Sequence, residues 1–330
     1  MLSIAGGTCG SLCYFCEKLA TLMVAPFVKI AKLSHCSSEK ITTKELVVMG
    51  HMFALSSVFF WSALYVCVKV LLESFSPFEL LILQFALGYV ILLFYRPKYL
   101  RLPLQDELRI ACAGLCGISI YNLFLNLAME QTAVSNVSII IATAPLFTGI
   151  FSFILQIEKP YANFFLGFVL CISGVVLLSE GFSINPVGDV LALISAVGWG
   201  AYSVLIVRIL GKHYDLVLVT RRMIFYGIVF LLPGFLVFDF RPNLATLSDP
   251  KVSLNLALVA LFASGLCFIL WNRATTLIGA IKTNIYVYLT PIITIFVAMI
   301  LLDERIGFWG VAGVALTLLG IALSEWRKGT

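Results

Sequence analysis

The stretch Leu289–Arg305 reads LTPIITIFVAMILLDER, an apolar run with a proline near its start and a charged triplet at its end. Residues 142–159 read ATAPLFTGIFSFILQIEK and follow the same plan. The proline and the glutamate of one stretch each lie 146 residues from their counterparts in the other. A recurrence at a fixed separation indicates an internal repeat, and such a repeat determines the architecture of a chain.

The composition indicates a protein built for lipid. Hydrophobic residues make up 61% of the 330 residues and charged residues 12%, whereas soluble domains are about half apolar and a quarter charged. A helix needs about 20 mostly apolar residues to cross a bilayer, and ten segments approach this length. The predicted spans are Gly50–Leu71, Phe78–Tyr95, Leu108–Met129, Val137–Leu155, Phe164–Leu178, Val187–Ile209, Val217–Phe238, Leu254–Leu277, Ile285–Leu302 and Phe308–Trp326.

The basic residues predict the orientation of these spans. If the N-terminus is cytoplasmic, sixteen Lys and Arg residues fall on the cytoplasmic side and three on the other. Such a bias is the positive-inside pattern of membrane proteins, so we expect both termini to be cytoplasmic. The net charge of +5 follows from this bias and indicates no nucleic-acid partner.

The repeat covers nearly all of the spans. With a slide of 138 residues, Gly50 and Trp61 fall on Gly188 and Trp199. With a slide of 146, Asn126 falls on Asn272. We therefore predict an all-α integral membrane protein of ten helices in two inverted five-helix repeats, because an odd number of spans per copy turns the second copy over in the membrane. The predicted divisions are an N-terminal cytoplasmic or interfacial segment, 1–45, and repeats at 46–180 and 186–326.

The residues that recur have physical interpretations. Pro145 and Pro291 each remove a backbone donor inside a span and predict a bend beside a cavity, although proline is also common in membrane helices. Glu158 and Glu304 end their spans and are interpreted first as clasps that accept from free amides at the start of the next helix, and second as gating residues. The glycine pairs of spans five and ten predict a close helix approach.

The region from Gly50 to Trp326 resembles an EamA-type member of the drug/metabolite transporter superfamily. The resemblance rests on both prolines, both glutamates, the paired glycines and stretches such as ASNVSIIIATAP and WNRATTLIGAIKTN. It implies ten helices, alternating access, and a central cavity lined mainly by spans one, three, four, six, eight and nine. The family often has an arginine in span two where this chain has Gln84, and the repeat-related Arg222 keeps that pattern in one half only.

Polar and aromatic side chains inside the spans are the candidates for substrate binding, because such groups are costly in lipid. The alternative is that asparagines tie helices together and that tryptophans belong to interface belts. The candidate residues are Trp61, Tyr65, Asn122, Asn126, Trp199, Tyr202, Trp271, Asn272, Asn284 and Tyr288.

The N-terminal segment leaves several interpretations open. Cys9, Cys13 and Cys16 have the spacing of an iron–sulfur motif, but we expect a coincidence, with an interfacial helix or lipidated cysteines as alternatives. We do not expect a cleaved signal peptide. The natural start is Met49 or Met52 in a second interpretation, and an organelle-targeting role is a third.

These observations predict a secondary transporter of small organic metabolites, most plausibly amino-acid-like, that exports or exchanges them across the bacterial cytoplasmic (inner) membrane. The scarcity of acids at mid-depth favours exchange or facilitated transport over proton coupling. We expect no enzyme activity, no metal and no cofactor, and partners limited to the solute and the lipid bilayer, with a homodimer left open. The alternatives are uptake of a nucleotide-like metabolite such as S-adenosylmethionine and, from another class, a membrane redox protein that uses the N-terminal cysteines.

Overall fold

The computed structural model describes residues 42–132, 134–178, 185–212, 214–302 and 308–325. Within these ranges the chain is helical and contains no strand. The N-terminal cysteines Cys9, Cys13 and Cys16, and the predicted clasp residue Glu304, lie outside the described residues.

The described helices group into ten units that follow the predicted spans in order. Several units consist of two or three pieces, and a short 3-10 segment, Leu244–Ser248, lies between the seventh and the eighth. The units are α1 (Thr43–Leu71), α2 (Pro77–Tyr95), α3 (Leu104–Gln131), α4 (Val134–Ile141 and Ala144–Ile154), α5 (Ala162–Leu178), α6 (Pro186–Leu210), α7 (Leu216–Leu236), α8 (Pro250–Ile278), α9 (Ala280–Ile285, Tyr286–Tyr288 and Leu289–Leu302) and α10 (Phe308–Glu325).

Seven described helices are long and apolar enough to cross a membrane by length and composition, while Ala162–Leu177 and Phe308–Ser324 are apolar but shorter. Large apolar side chains cover the outside of the bundle, and Phe94 and Leu236 are 81% and 91% exposed. An apolar surface of this kind suits lipid as its surroundings. The all-helical membrane fold class is confirmed in this coarse form, and the count of ten crossings stays a prediction.

The helices of the two halves pack against each other in exchanged pairs. Helix α1 packs on α8 and α9, and the corresponding helix α6 packs on α3 and α4. Helix α2 likewise packs on α8 where α7 packs on α3, and α5 packs on α10. A pseudo-two-fold axis between two copies would produce this pattern. Each half therefore completes its core with helices of the other half.

Helices α5 and α10 approach closely along their glycines. A Cβ atom placed on Gly167 would lie 2.6 Å from the carbonyl oxygen of Gly320. One placed on Gly174 would lie 2.7 Å from that of Gly313. The close approach predicted from the glycine spacing is present, since neither contact leaves room for a side chain.

A π-helical segment interrupts one helix in each half. The segments are Leu115–Ile120 in α3 and Val259–Leu266 in α8, and a shift of 146 places the first on the end of the second. In α3 the amide of Asn122 donates to the carbonyl oxygens of Gly117 at 3.0 Å and Ile118 at 3.1 Å. Segments of this type are frequent at functional sites. The α8 segment contributes Val259, Ala263 and Ser264 to the cavity described next, and the α3 segment ends directly before the lining residues Tyr121 and Asn122.

Candidate functional site

A narrow cavity lies between α1, α2, α3 and α8. Its empty space is about 480 Å³, with the open mouth included. The lining combines aromatic, aliphatic and uncharged polar side chains, and none of its residues is Asp, Glu, Lys or Arg. The lining residues are Trp61, Leu64, Tyr65, Val68, Gln84, Phe85, Tyr121, Asn122, Leu125, Asn126, Met129, Val259, Ala263, Ser264 and Phe268.

The cavity contains four of the residues singled out in the sequence, Trp61, Tyr65, Asn122 and Asn126. The Tyr65 hydroxyl lies 3.4 Å from that of Tyr121. The amide of Asn126 donates to a backbone carbonyl of α2 at 3.4 Å. These side chains therefore present hydroxyl and amide groups to the cavity, although the Asn122 amide nitrogen is already bound to its own helix.

Several lining residues were missed by sequence reasoning, and two of them, Gln84 and Ser264, have polar atoms without a partner among the described residues. Gln84 and Ser264 are 4% and 1% exposed, and the atoms concerned are Gln84 Oε1 and Ser264 Oγ. A buried polar atom without a partner costs free energy, and such groups cluster where a ligand supplies the missing bond. The signal for Gln84 was present in the sequence, because it departs from the arginine that the family often has there. Ser264 gave no comparable signal.

Five of the other six candidates lie in a packed layer beyond the cavity, namely Trp199, Tyr202, Trp271, Asn272 and Asn284. The Tyr202 hydroxyl donates to Asn272 Oδ1 at 2.7 Å, and Trp199 Nε1 donates to Asn284 Oδ1 at 3.0 Å. These asparagines tie helices together in this structure, as the structural alternative predicted. Trp271 completes the layer, whereas Tyr288 lies in a separate apolar cluster with Phe164 and Cys171 of α5. Both residues are fully buried, and Trp271 Nε1 and the Tyr288 hydroxyl have no partner among the described residues.

Trp61 lies between the cavity and the packed layer. Its indole nitrogen donates to the carbonyl oxygen of Ala263 at 3.0 Å. Its ring centroid lies 5.2 Å from that of Trp199 and 5.5 Å from that of Trp271. Edge and tilted contacts at these distances are favourable for aromatic rings. The indole of Trp61 therefore forms the floor of the cavity.

The two prolines lie at interruptions of α4 and α9 but not in the cavity lining. Pro145 occupies the first turn of Ala144–Ile154, directly after the break that ends Val134–Ile141. Pro291 lies in the first turn of Leu289–Leu302, after the 3-10 segment Tyr286–Tyr288. The resemblance implied a lining that includes spans four, six and nine, whereas α4, α6 and α9 contribute no residue to the cavity lining here.

Glu158 caps a helix of the other half of the chain. Its Oε1 accepts from the backbone nitrogen of Ala280 at 2.7 Å, and its Oε2 accepts from that of Ile281 at 3.1 Å. The expected partner was the following helix, α5. The amides come instead from the start of α9, because Gly279, with φ of 85° and ψ of 164°, turns the chain so that they face the carboxylate.

Ion pairs join the two halves at the same end of the bundle. The shortest nitrogen-to-oxygen distances are 2.7 Å for Lys212 with Asp106, 2.6 Å for Arg222 with Glu107 and 2.9 Å for Arg96 with Asp215. We call this end, defined by these pairs and Glu158, the clasped end. A hydrogen bond from Tyr214 to Asp106, 2.9 Å long, raises the pKa of the Tyr214 phenol.

Known proteins place this architecture in a family. The profile of the EamA-like transporter family matches residues 48–180 and again residues 186–326. The chain belongs to this family. The transporter is 27% identical over 289 residues to an uncharacterised transporter of Archaeoglobus fulgidus, a match that covers 84% of this chain and 98% of that one.

Further relatives agree with this assignment. A probable terminal-alkyne amino-acid exporter of Streptantibioticus cattleyicolor is 25% identical over 271 residues, which cover 81% of this chain and 90% of the exporter. A crystal structure with 18% sequence identity superimposes with a TM-score of 0.68 and covers 84% of this chain and 96% of its own. The protein is thus an integral membrane transporter for small molecules. Within the described residues, no three His, Cys, Asp or Glu side chains form a group that could hold a metal ion.

Proposed function

We propose that the transporter moves small amino-acid-like solutes without net charge, by export or exchange. The observation that carries the proposal is the uncharged cavity with two unpaired polar atoms, Gln84 Oε1 and Ser264 Oγ, in its wall. The relative from Streptantibioticus cattleyicolor, which is named as an amino-acid exporter, agrees in substrate class.

The chemistry of the wall selects against a net charge. An ion that leaves water for a site without an opposite charge loses more hydration energy than neutral dipoles restore. A zwitterion carries both charges and needs one acceptor and one donor. Gln84 Oε1 is placed to accept from its ammonium group, and the Ser264 hydroxyl to donate to its carboxylate. The rings of Trp61 and Phe85 offer apolar surface to the rest of the solute.

Alternating access follows from the position of the cavity relative to the clasped end. The packed layer and the inter-half bonds close one side of Trp61, and the cavity opens on the other. Rocking of the two halves about the pseudo-two-fold axis would release Glu158 and the ion pairs while the open side closes. The first half and its repeat would then exchange their arrangements, so that the clasped end opens and the present cavity mouth is closed.

The same proposal includes the topology. We place ten crossings in two repeats, 46–180 and 186–326, and this division accounts for the exchanged helix pairs. Both termini would lie in the cytoplasm, and residues 1–45 would form a cytoplasmic or interfacial segment. The membrane is proposed to be a bacterial cytoplasmic (inner) membrane. The clasped end would then face the cytoplasm, since it holds the predicted cytoplasmic ends of α2, α4 and α6.

Counterflow in proteoliposomes tests the proposal. Vesicles that contain the purified transporter are loaded with a neutral amino acid, and entry of radiolabelled solutes is followed. We expect neutral amino acids to exchange faster than lysine or glutamate. Faster exchange of S-adenosylmethionine would favour the nucleotide-like alternative, and no counterflow of any of these solutes would contradict both.

A further inference from the structure

A second pocket opens at the clasped end, between α2, α7 and the loop 96–103. Its empty space is about 550 Å³ with the mouth included, and it shares no residue with the cavity around Trp61. Its polar wall is formed by Lys98, Tyr99, Arg221 and Arg222. The pocket is therefore a separate site with a strongly basic lining.

The positive charge of this pocket is only partly compensated. Arg222 pairs with Glu107 at 2.6 Å. Arg221 is 8% exposed, and its guanidinium donates to the backbone carbonyls of Arg96 and Lys98. No carboxylate lies within ion-pair distance of Arg221 or Lys98 among the described residues. A buried guanidinium without a counter-charge is costly, and an anionic ligand would lower that cost.

The surroundings of the pocket are those of a membrane interface. Phe94 and Val90 of α2 are 81% and 42% exposed, and Phe225 of α7, which also lines the pocket, is 39% exposed. Tyr95 and Tyr99 are exposed next to them, and tyrosine is enriched at the level of lipid headgroups. The basic wall thus continues into an apolar surface along α2 and α7.

The fold does not require this basic pair. The positions 138 residues before Arg221 and Arg222 hold Leu83 and Gln84, on the corresponding helix of the first half. The pseudo-two-fold axis therefore relates the arginine pair to an uncharged one. Two arginines needed only for helix packing would be expected in both halves. A basic residue at this end agrees with the positive-inside bias, and what points to a ligand is that Arg221 has no counter-charge among the described residues.

We propose that this pocket binds the phosphate headgroup of an anionic lipid, with the acyl chains along α2 and α7. The required chemistry is a phosphate with at least one negative charge, which a soluble phosphate ester also offers. The exposed apolar surface beside the pocket favours the lipid, because a soluble ester has nothing to place there. This site is independent of the solute that the transporter carries.

Native mass spectrometry of the full-length transporter in detergent tests the proposal. Phosphatidylglycerol or phosphatidylcholine is added to the wild-type protein, to Lys98→Gln and to Arg101→Gln. Lys98 lines the pocket, whereas Arg101 lies in the same loop outside its lining, so the two variants lose the same charge. Both residues are exposed, so we expect both variants to fold.

We expect the wild-type protein to bind phosphatidylglycerol in preference to phosphatidylcholine. The affinity for phosphatidylglycerol should fall roughly fivefold in Lys98→Gln, which is the effect of one basic residue near anionic lipid, and should stay unchanged in Arg101→Gln. Equal binding of the two lipids, or equal losses in the two variants, would overturn the proposal. Glycerol phosphate in a third arm distinguishes the sources. If it displaces phosphatidylglycerol at similar concentrations, the site serves a soluble phosphate and the lipid assignment is wrong.

Discussion

At the scale of single residues, the clasp depends on one backbone conformation. Gly279 has φ of 85° and ψ of 164°, a region that residues with a side chain hardly enter. A Cβ atom there would also lie 2.9 Å from Glu158 Oε1. Gly279 therefore both permits the turn into α9 and leaves space for the carboxylate that caps it.

Gly279→Ala should lower the free energy of unfolding by about 1 to 3 kcal/mol, the usual cost of a strained backbone position. Thermal unfolding in detergent measures the loss. Gly211→Ala is the matched control, because Gly211 has φ of −67° and the nearest atom to its Cβ would be 3.7 Å away. Equal midpoints for the two variants would show that Gly279 carries no special strain.

Gln84→Met should separate a role in binding from a role in folding. The substitution removes an acceptor that has no partner, so the stability should stay equal or rise by about 1 kcal/mol, while counterflow of neutral amino acids slows. Ser152→Ala is the control, since Ser152 Oγ is also buried and unpartnered but lies outside the cavity. Unchanged counterflow in Gln84→Met would contradict the proposed contact with solute.

The sequence identified which polar residues lie inside the bundle but not what they contact. Asn126 and Asn272 are related by the repeat, yet one lines the cavity and the other receives the hydroxyl of Tyr202. In the proposed alternating-access cycle, residues related by the repeat would exchange between the cavity and the packed layer. Such residues look alike in the sequence, whereas the structure shows one arrangement.

At the scale of elements, α5 and α10 form a pair whose stability depends on backbone contact. Gly174→Ala should destabilise the protein by about 1 to 3 kcal/mol, the cost of overpacking, because the added Cβ would meet the Gly313 carbonyl oxygen at 2.7 Å. Thermal unfolding again provides the measurement. Gly265→Ala is the control, because the atom nearest to its added Cβ would be 3.7 Å away, and it should leave the unfolding midpoint unchanged. An equal loss of stability in both variants would contradict this explanation.

The helix order was predictable because long apolar segments separated by polar loops leave little choice in a bilayer. The π segments of α3 and α8 were not. A helix that is apolar on nearly every side has no polar stripe whose shift would reveal one extra residue per turn. The partner of Glu158 was missed for a related reason, since local sequence suggests the next helix and only the tertiary fold brings Gly279 close.

At the scale of the whole molecule, the ion pairs between the two halves of the described chain lie at the clasped end. The Asp106 side chain has no solvent exposure and contacts Lys212 at 2.7 Å, Arg109 at 3.0 Å and Tyr214 at 2.9 Å. Two of these partners belong to the second half. Opening of this end therefore has to separate charged groups.

Asp106→Asn should loosen the clasped end, since it removes the negative charge and one of the two acceptor oxygens, and hydrogen bonds to charged groups are worth about 1.5 to 3 kcal/mol each. Hydrogen–deuterium exchange read by mass spectrometry should become faster in 203–212 and 280–286. Asp249→Asn, which alters a helix cap that accepts from Lys251 away from this end, should change exchange only near its own helix. If both variants leave 280–286 unchanged, the ion pairs do not hold the clasped end closed.

The exchanged pairing of helices also matters while the chain is being made. When the ribosome has delivered only α1 to α5, the partners of α1, α2 and α5 do not yet exist. Gln84 of α2 then stands in the membrane without α8, which later lies across the cavity from it. The polar surfaces of the first half therefore need to be shielded from lipid until the second half has been made. We expect the biogenesis of this protein to depend on insertion factors that bind such helices until synthesis is complete.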